Sequence, residues 1–549
     1  MNQLNRQTLN LLTKLLSEGR LDHLYERISE IQISGTESPE DLLDYLGFQV
    51  DVASLRQDTN LAKDAIARLQ KFIEVTEKSG LKGIAYYFLA NAYDVSWQIK
   101  RRSPGYVPSW TDLELHKQKV ALSEALRFRE AMPKARLLQI FTNLANTLDR
   151  MGRCTEACYF YDKALEMDSG FEMALGNKGL SLEYCARFVT DPHHRTILVK
   201  EAHRMLTMAL SRRLDPEART GFVGAKENIE KHAPPGLLDG EPINVNAEHE
   251  YESKEHQQYV KFCCAHRLFL NPLAQLGPFP IASGDPLHLP PFVTPVADFS
   301  GYYFFSYFNS LKQEYATARL LLFESQRPVK KVHYADREVF LVNTLDYPCY
   351  STQTEFLKLA FRSSYSLLDK IAFFLNAYLS LGIPDDKIYL RTIWYEDYRA
   401  RRLRPQFRNM SNPGAMALFY LSQDLFESQT TNNNVETYLR YIAAYRHALE
   451  HRFLKLHDML YTPPKDSDNP FDQFQAKLKD PKTPSVYQTQ FFEDAVQLFR
   501  IVKAALMYLT MTMVVSEDQK REETDQDKIL PGMMLDTYVG TYEDDWKRH

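Results

Sequence analysis

The sequence predicts an all-α protein in two parts: an N-terminal array of helical repeats followed by a C-terminal helical bundle. Three observations carry this. Helix-period patterns follow one another with very few alternating, strand-like stretches. A 34-residue unit at 138–171 is followed on schedule by a second one. The second half contains a long segment that is apolar nearly all round, as a helix buried in a bundle is. At 549 residues the chain exceeds what one hydrophobic core usually serves, so more than one domain is expected.

In the first half, residues 11–29, 60–78 and 83–97 read as helices. The unit at 138–171, "LQIFTNLANTLDRMGRCTEACYFYDKALEMDSGF", places small residues where two antiparallel helices approach closely: Ala145, Gly152, Ala157 and Ala164. Phe141, Leu144, Leu148, Tyr161 and Leu165 fill the space between them. Asn143 and Ala145 are answered one period later by Asn177 and Gly179. The spacing resembles the tetratricopeptide repeat. An earlier unit lies at 86–97 with 115–128, and a later helix at 200–214; insertions at 100–112 and 187–196 break the period. The array is assigned to residues 1–235, and repeats of this kind imply a protein or peptide partner on a concave face. Pro, Gly and Asn accumulate over 231–250, which sets a linker at 236–250.

After a loop-like stretch at 271–295, helices are expected at 306–325, 354–382, 414–426, 436–460 and 489–515. They define a helical domain at 251–515, with residues 516–549 as a polar tail. On the 354–382 helix, Arg362, Ser366, Asp369 and Asn376 fall close to one stripe. Such a stripe is either a solvent edge or one wall of a site, because buried polar groups need partners.

Apolar residues make up 44%, charged residues 25%, and the net charge is −5. The chain is not globally basic, so a nucleic-acid partner needs a local patch. "YRARRLRPQFR" (398–408) offers one: Arg399, Arg401, Arg402 and Arg404 beside Tyr398 and Phe407 are candidate RNA-binding residues, with a solvated loop as the alternative. The first residues carry no secretory signal pattern, and the apolar run at 504–515 is too short to span a bilayer. Six scattered cysteines form neither a disulfide framework nor a CxxC pair; Cys154 and Cys158, four apart, read as packing. These features predict a cytoplasmic protein with no membrane partner and no cofactor.

The densest chemistry lies in "YRHALEHRF" (445–453). "HALEH" fits the H-x-x-E-H pattern of inverted zinc proteases, with Glu450 as base, but it needs a third ligand and only Glu493 offers itself. Alternatively, Arg446 and His451 form an R-x4-H pair suited to metal-independent RNA cleavage. RNA brings its own 2′-OH nucleophile, histidine moves protons near neutral pH, and arginine holds phosphate. Residues five apart on a helix point about 140° apart, so this chemistry predicts two copies of the helix lining one cleft across a two-fold axis. Finally, Arg446 and Glu450 could simply pair on the surface; R-x4-H also recurs at Arg452 and His457.

The region from about 250 to 515 resembles the HEPN superfamily (higher eukaryotes and prokaryotes nucleotide-binding). It is most similar to a bacterial branch fused to N-terminal tetratricopeptide-like repeats. The likeness covers residues 263–277, 313–325, 342–379 and 446–453, including the Asp369–Lys370 pair. The resemblance maps the family's R-x4-6-H motif onto Arg446 and His451, its following polar residue onto His447, and an acidic residue on an earlier helix onto Asp369. Where the family often has Asn, this chain has His447. It implies an all-α bundle that forms a homodimer and cleaves RNA, often as a toxin or anti-phage effector. A non-catalytic dimeric scaffold is the alternative, since some relatives have lost catalysis.

Overall fold

The computed structural model describes all residues except 1–3, 36, 107–109, 111–112, 247–249, 294–299, 329–330, 345, 409, 427–436, 459–484 and 524–549. Eighteen α-helices among the described residues make the protein all-α. It divides into two compact units. One comprises residues 1–184 and 199–240; the other comprises 185–198, 241–431 and 437–549, counting described residues only.

The first unit is built from helical hairpins: α1 (Arg6–Ser17) with α2 (Leu21–Glu30), α3 (Pro39–Arg56) with α4 (Thr59–Val75), α5 (Ser79–Arg102) with α6 (Leu113–Leu126), and α7 (Lys134–Arg150) with α8 (Cys154–Met167). The 11–29 segment, expected as one helix, is split at Gly19, whose φ of 69° suits glycine alone. In the 138–171 unit, Ala145, Ala157 and Ala164 are fully buried between the helices. Gly152 has a different task from the close approach expected of it: it turns the chain between α7 and α8 at φ 76°. Gly179, on α9 (Glu172–Ala186), does sit at a close approach. A Cβ there would lie 2.9 Å from Leu206 and 3.1 Å from the Ala202 carbonyl, both on α10 (Pro192–Leu210). Helix α11 (Pro216–His232) completes this part of the chain.

Beyond residue 240 the second unit continues with α12 (Lys254–His266) and is dominated by three long helices, α13 (Ser300–Glu324), α14 (Thr352–Tyr378) and α18 (Gln488–Glu523). α14 packs against α13 and α18, and α16 (Pro413–Phe426) lies on α18. At Gly414 the approach is so close that a Cβ would fall 2.4 Å from the Thr512 backbone nitrogen. Between α14 and α16 lie a short antiparallel ribbon, β1 (Tyr395–Asp397) with β2 (Arg402–Leu403), and α15 (Pro405–Arg408). α17 (Thr437–His451) rests on α14, α16 and α18.

Three expectations are corrected here. The 436–460 helix stops at His451, and the chain enters β3 (Lys455–His457), which pairs in parallel with β4 (Ser485–Tyr487). The polar tail does not begin at Ser516: α18 continues to Glu523, and Glu517 is fully buried, accepting from the Val293 N–H at 2.6 Å and the Tyr378 hydroxyl at 2.5 Å. The remainder of that tail, 524–549, lies outside the described residues. The apolar run at 504–515 belongs to a helix long and apolar enough, by length and composition, to cross a membrane. Its apolar stretch is 83% buried inside the protein, as a core helix is.

Candidate functional site

α14 begins at Ser351, whose hydroxyl accepts from the Thr354 N–H at 3.1 Å. Leu357, Phe361, Leu368 and Ile371 then anchor it in the core. The polar stripe expected on this helix divides into four separate tasks. Ser366 bonds back to the Ser363 carbonyl. Asn376 pins the following turn by bonding both the N–H and the carbonyl of Ile383. Arg362 is exposed. Asp369 faces α17, while its neighbour Lys370 turns to Glu314 on α13.

α17 buries Ile442, Tyr445 and Ala448. Tyr445 sits against Phe361 and Phe491, with ring centroids 6.1 and 5.2 Å away. This anchoring sets the direction of Arg446. Its guanidinium carbon lies 4.8 Å from the centre of the Tyr365 ring, and its Nη2 is 3.6 Å from Asp369 Oδ2. Its Nε is 3.1 Å from Glu450 Oε2 but not aligned as a hydrogen bond. Burial opposes the Arg446 charge, yet Tyr365, Glu450 and Asp369 outweigh it and raise its pKa. Asp369 accepts from the Leu390 N–H at 3.3 Å, and burial pushes its pKa up.

His451 ends the helix with its side chain 64% exposed, against 34% for Arg446. Its Nε2 stands 3.8 Å from Glu450 Oε2, the oxygen that also meets Arg446. Glu450 therefore links the two residues that helix geometry points apart. The His447 ring, on an exposed residue, is 5.2 Å from that of His451. Among the described residues, no three His, Cys, Asp or Glu side chains converge as metal ligands, so the H-x-x-E-H pattern lacks its third partner.

The structure thus brings Asp369 and Arg446 into contact and sets His447 beside His451. It adds two residues the sequence reading did not place in the site. Tyr365 stands four residues before Asp369, one helical turn away, and that spacing was its only signal. Glu450 was read as a zinc-site base or a surface partner, not as a link. The arginines of 399–404 have varied surroundings. Arg404 Nε is bonded to the Ile393 carbonyl at 3.0 Å, and Arg402 pairs with Glu396 at 3.1 Å. Arg401 shapes the turn at φ 51°, and Arg399 is exposed. Arg402 and Arg404 thus brace the ribbon, while Arg399 and Arg402 stay open to solvent.

Residues 296–516 match the family model described as LA2681-like HEPN. The matched stretch contains Asp369, Arg446, His447 and His451. No curated protein and no solved structure matches the chain.

Proposed function

We propose that this chain is a metal-independent endoribonuclease whose site is Arg446 and His451, oriented by Asp369, Glu450 and His447. HEPN domains are commonly nucleases. The observation that carries the reading is the pairing of a half-buried, carboxylate-held arginine with a solvent-open histidine on one carboxylate, inside the stretch that matches the family model. Arg446 binds the scissile phosphate through its fork of donors. His451 takes the proton of the 2′-OH or gives one to the leaving 5′-oxygen. Products carry a 2′,3′-cyclic phosphate and a 5′-OH. A second copy across a two-fold axis supplies the other half of the acid–base pair, so the active form is a homodimer. The repeat half docks a protein or peptide that restrains or triggers cleavage, as a cytoplasmic toxin or anti-phage effector requires.

One observation favours the non-catalytic scaffold instead: Arg446 already faces two carboxylates, Asp369 and Glu450. The deciding experiment is cleavage of mixed cellular RNA in EDTA by wild type, Arg446→Ala and His451→Ala, with end-group analysis. Cyclic-phosphate ends that both substitutions abolish support the enzyme. Wild-type cleavage that survives either substitution defeats the assignment of the site.

A further inference from the structure

The two helices that form the Asp369–Arg446 contact both lead on to one cavity. On α14, Arg362 stands seven residues before Asp369, two turns back and about 10 Å along the axis. On α17, Leu449 stands three residues beyond Arg446, on its side of the helix, and Phe453 follows two residues after the helix ends. Arg362, Leu449 and Phe453 line a cavity of about 300 Å³, together with Tyr350 and with Lys455 of β3.

The wall of this cavity has an unusual composition. Lys358, Arg362, Arg452 and Lys455 line it against a single carboxylate, Glu355. Lys358 pairs with Glu355 at 2.8 Å, and Lys455 pairs with Asp346. Arg362 is exposed and makes no ion pair among the described residues. Two aromatic rings stand in water at the same rim, Phe453 at 55% and Tyr350 at 53% exposure. The Lys455 ammonium lies 5.9 Å from the Phe453 ring. An isolated exposed aromatic needs no explanation, but two beside an unpaired arginine make a surface suited to a base and its phosphate.

We infer that this cavity is a nucleotide subsite for the strand whose scissile phosphate lies at Arg446. Arg362 takes a neighbouring phosphate, and Phe453 with Tyr350 stacks the base. The ligand is single-stranded RNA, since a paired base has no free face to offer. The name of the ligand rests on the ribonuclease reading, but the subsite can be tested apart from it.

The test uses the full chain and a fluorescein-labelled, fully 2′-O-methylated oligonucleotide, which binds but cannot be cut, read by anisotropy. Arg362→Glu should weaken binding about tenfold and lower the salt slope by about one. Phe453→Ala should weaken binding by a similar factor with the slope unchanged. AMP at the same concentration should displace none of the oligonucleotide. Wild-type affinity in both variants overturns the subsite, as does an absence of binding by wild type. Full displacement by AMP also overturns it and assigns the cavity to free nucleotides. RNA cleavage by the same proteins separates the two claims. Cleavage with an unchanged KM in Arg362→Glu leaves the ribonuclease standing without the subsite. Arg362-dependent binding without cleavage leaves the subsite standing without the ribonuclease.

Discussion

Two arginine–carboxylate constellations in the C-terminal unit use the same residue types to opposite ends. Arg319 of α13 is 3% exposed and closes a bidentate pair with Asp285 at 2.7 and 2.6 Å. It also donates to the Leu268 carbonyl at 3.1 Å and the Tyr259 hydroxyl at 2.8 Å, so every nitrogen of its fork is used. Arg446 meets Asp369 at 3.6 Å and Glu450 out of line, with a third of its side chain in water. The sealed arginine spends four of its five N–H donors inside the protein and holds α13 to the 268–287 loop. The open one keeps donors in reach of solvent, which the proposed role at a phosphate requires. Spare donor capacity, rather than burial or charge alone, separates a fixture from a site.

The largest expected effect is on activity. His451→Ala and Arg446→Ala should each lower RNA cleavage about 10²–10⁴-fold, measured as initial rates in EDTA. Arg319→Ala should leave Asp285 uncompensated and cost about 3–5 kcal/mol of stability by denaturant unfolding. Arg446→Ala should cost under about 1 kcal/mol in the same assay, because its pairs are partly solvated. Equal losses in the two variants would break the comparison.

A smaller effect concerns pH. Burial raises the Asp369 pKa above its ordinary value of 3.8. The stability gained from its bound proton is therefore full below that value and is lost as pH rises through the folded-state pKa. Asp369→Asn stays neutral throughout, so its melting temperature should rise relative to wild type between pH 4 and pH 7. A constant difference would show that Arg446 balances the burial cost. The smallest expected effect is none at all. Cys263, beside the sealed arginine, is fully buried, and burial pushes its thiol up to about 12. It should resist iodoacetamide at pH 8 in the native protein and react once unfolded, as mass spectrometry of the labelled peptides would show.

The fold class was legible in the sequence because helical periodicity is local, and the hairpin at 138–171 could be read almost residue by residue. The end of α17 was not legible. Nothing near His451 announces a stop; the chain leaves the helix to pair with β4, some thirty residues away, and tertiary pairing overrides local pattern. Asp369 was placed through resemblance, and its contact with Arg446 depends on how two helices pack, which spacing within one helix cannot reveal. Tyr365 was hidden for the opposite reason: a buried tyrosine on a core helix looks the same whether it supports an arginine or fills space. At 398–408 composition could not show that the Arg404 guanidinium bonds a carbonyl.

The last long helix has a consequence in time. α18 runs about 54 Å at 1.5 Å per residue and packs against α14, α16 and α17, the helices that form or support the site. Synthesis proceeds from the N-terminus, at about 5–20 residues per second. Every residue assigned to the site has therefore left the ribosome before the helix that supports α14 and α17 has been made. A nascent chain at that point already carries Arg446 and Asp369 but lacks the helix that supports α14 and α17 around their contact.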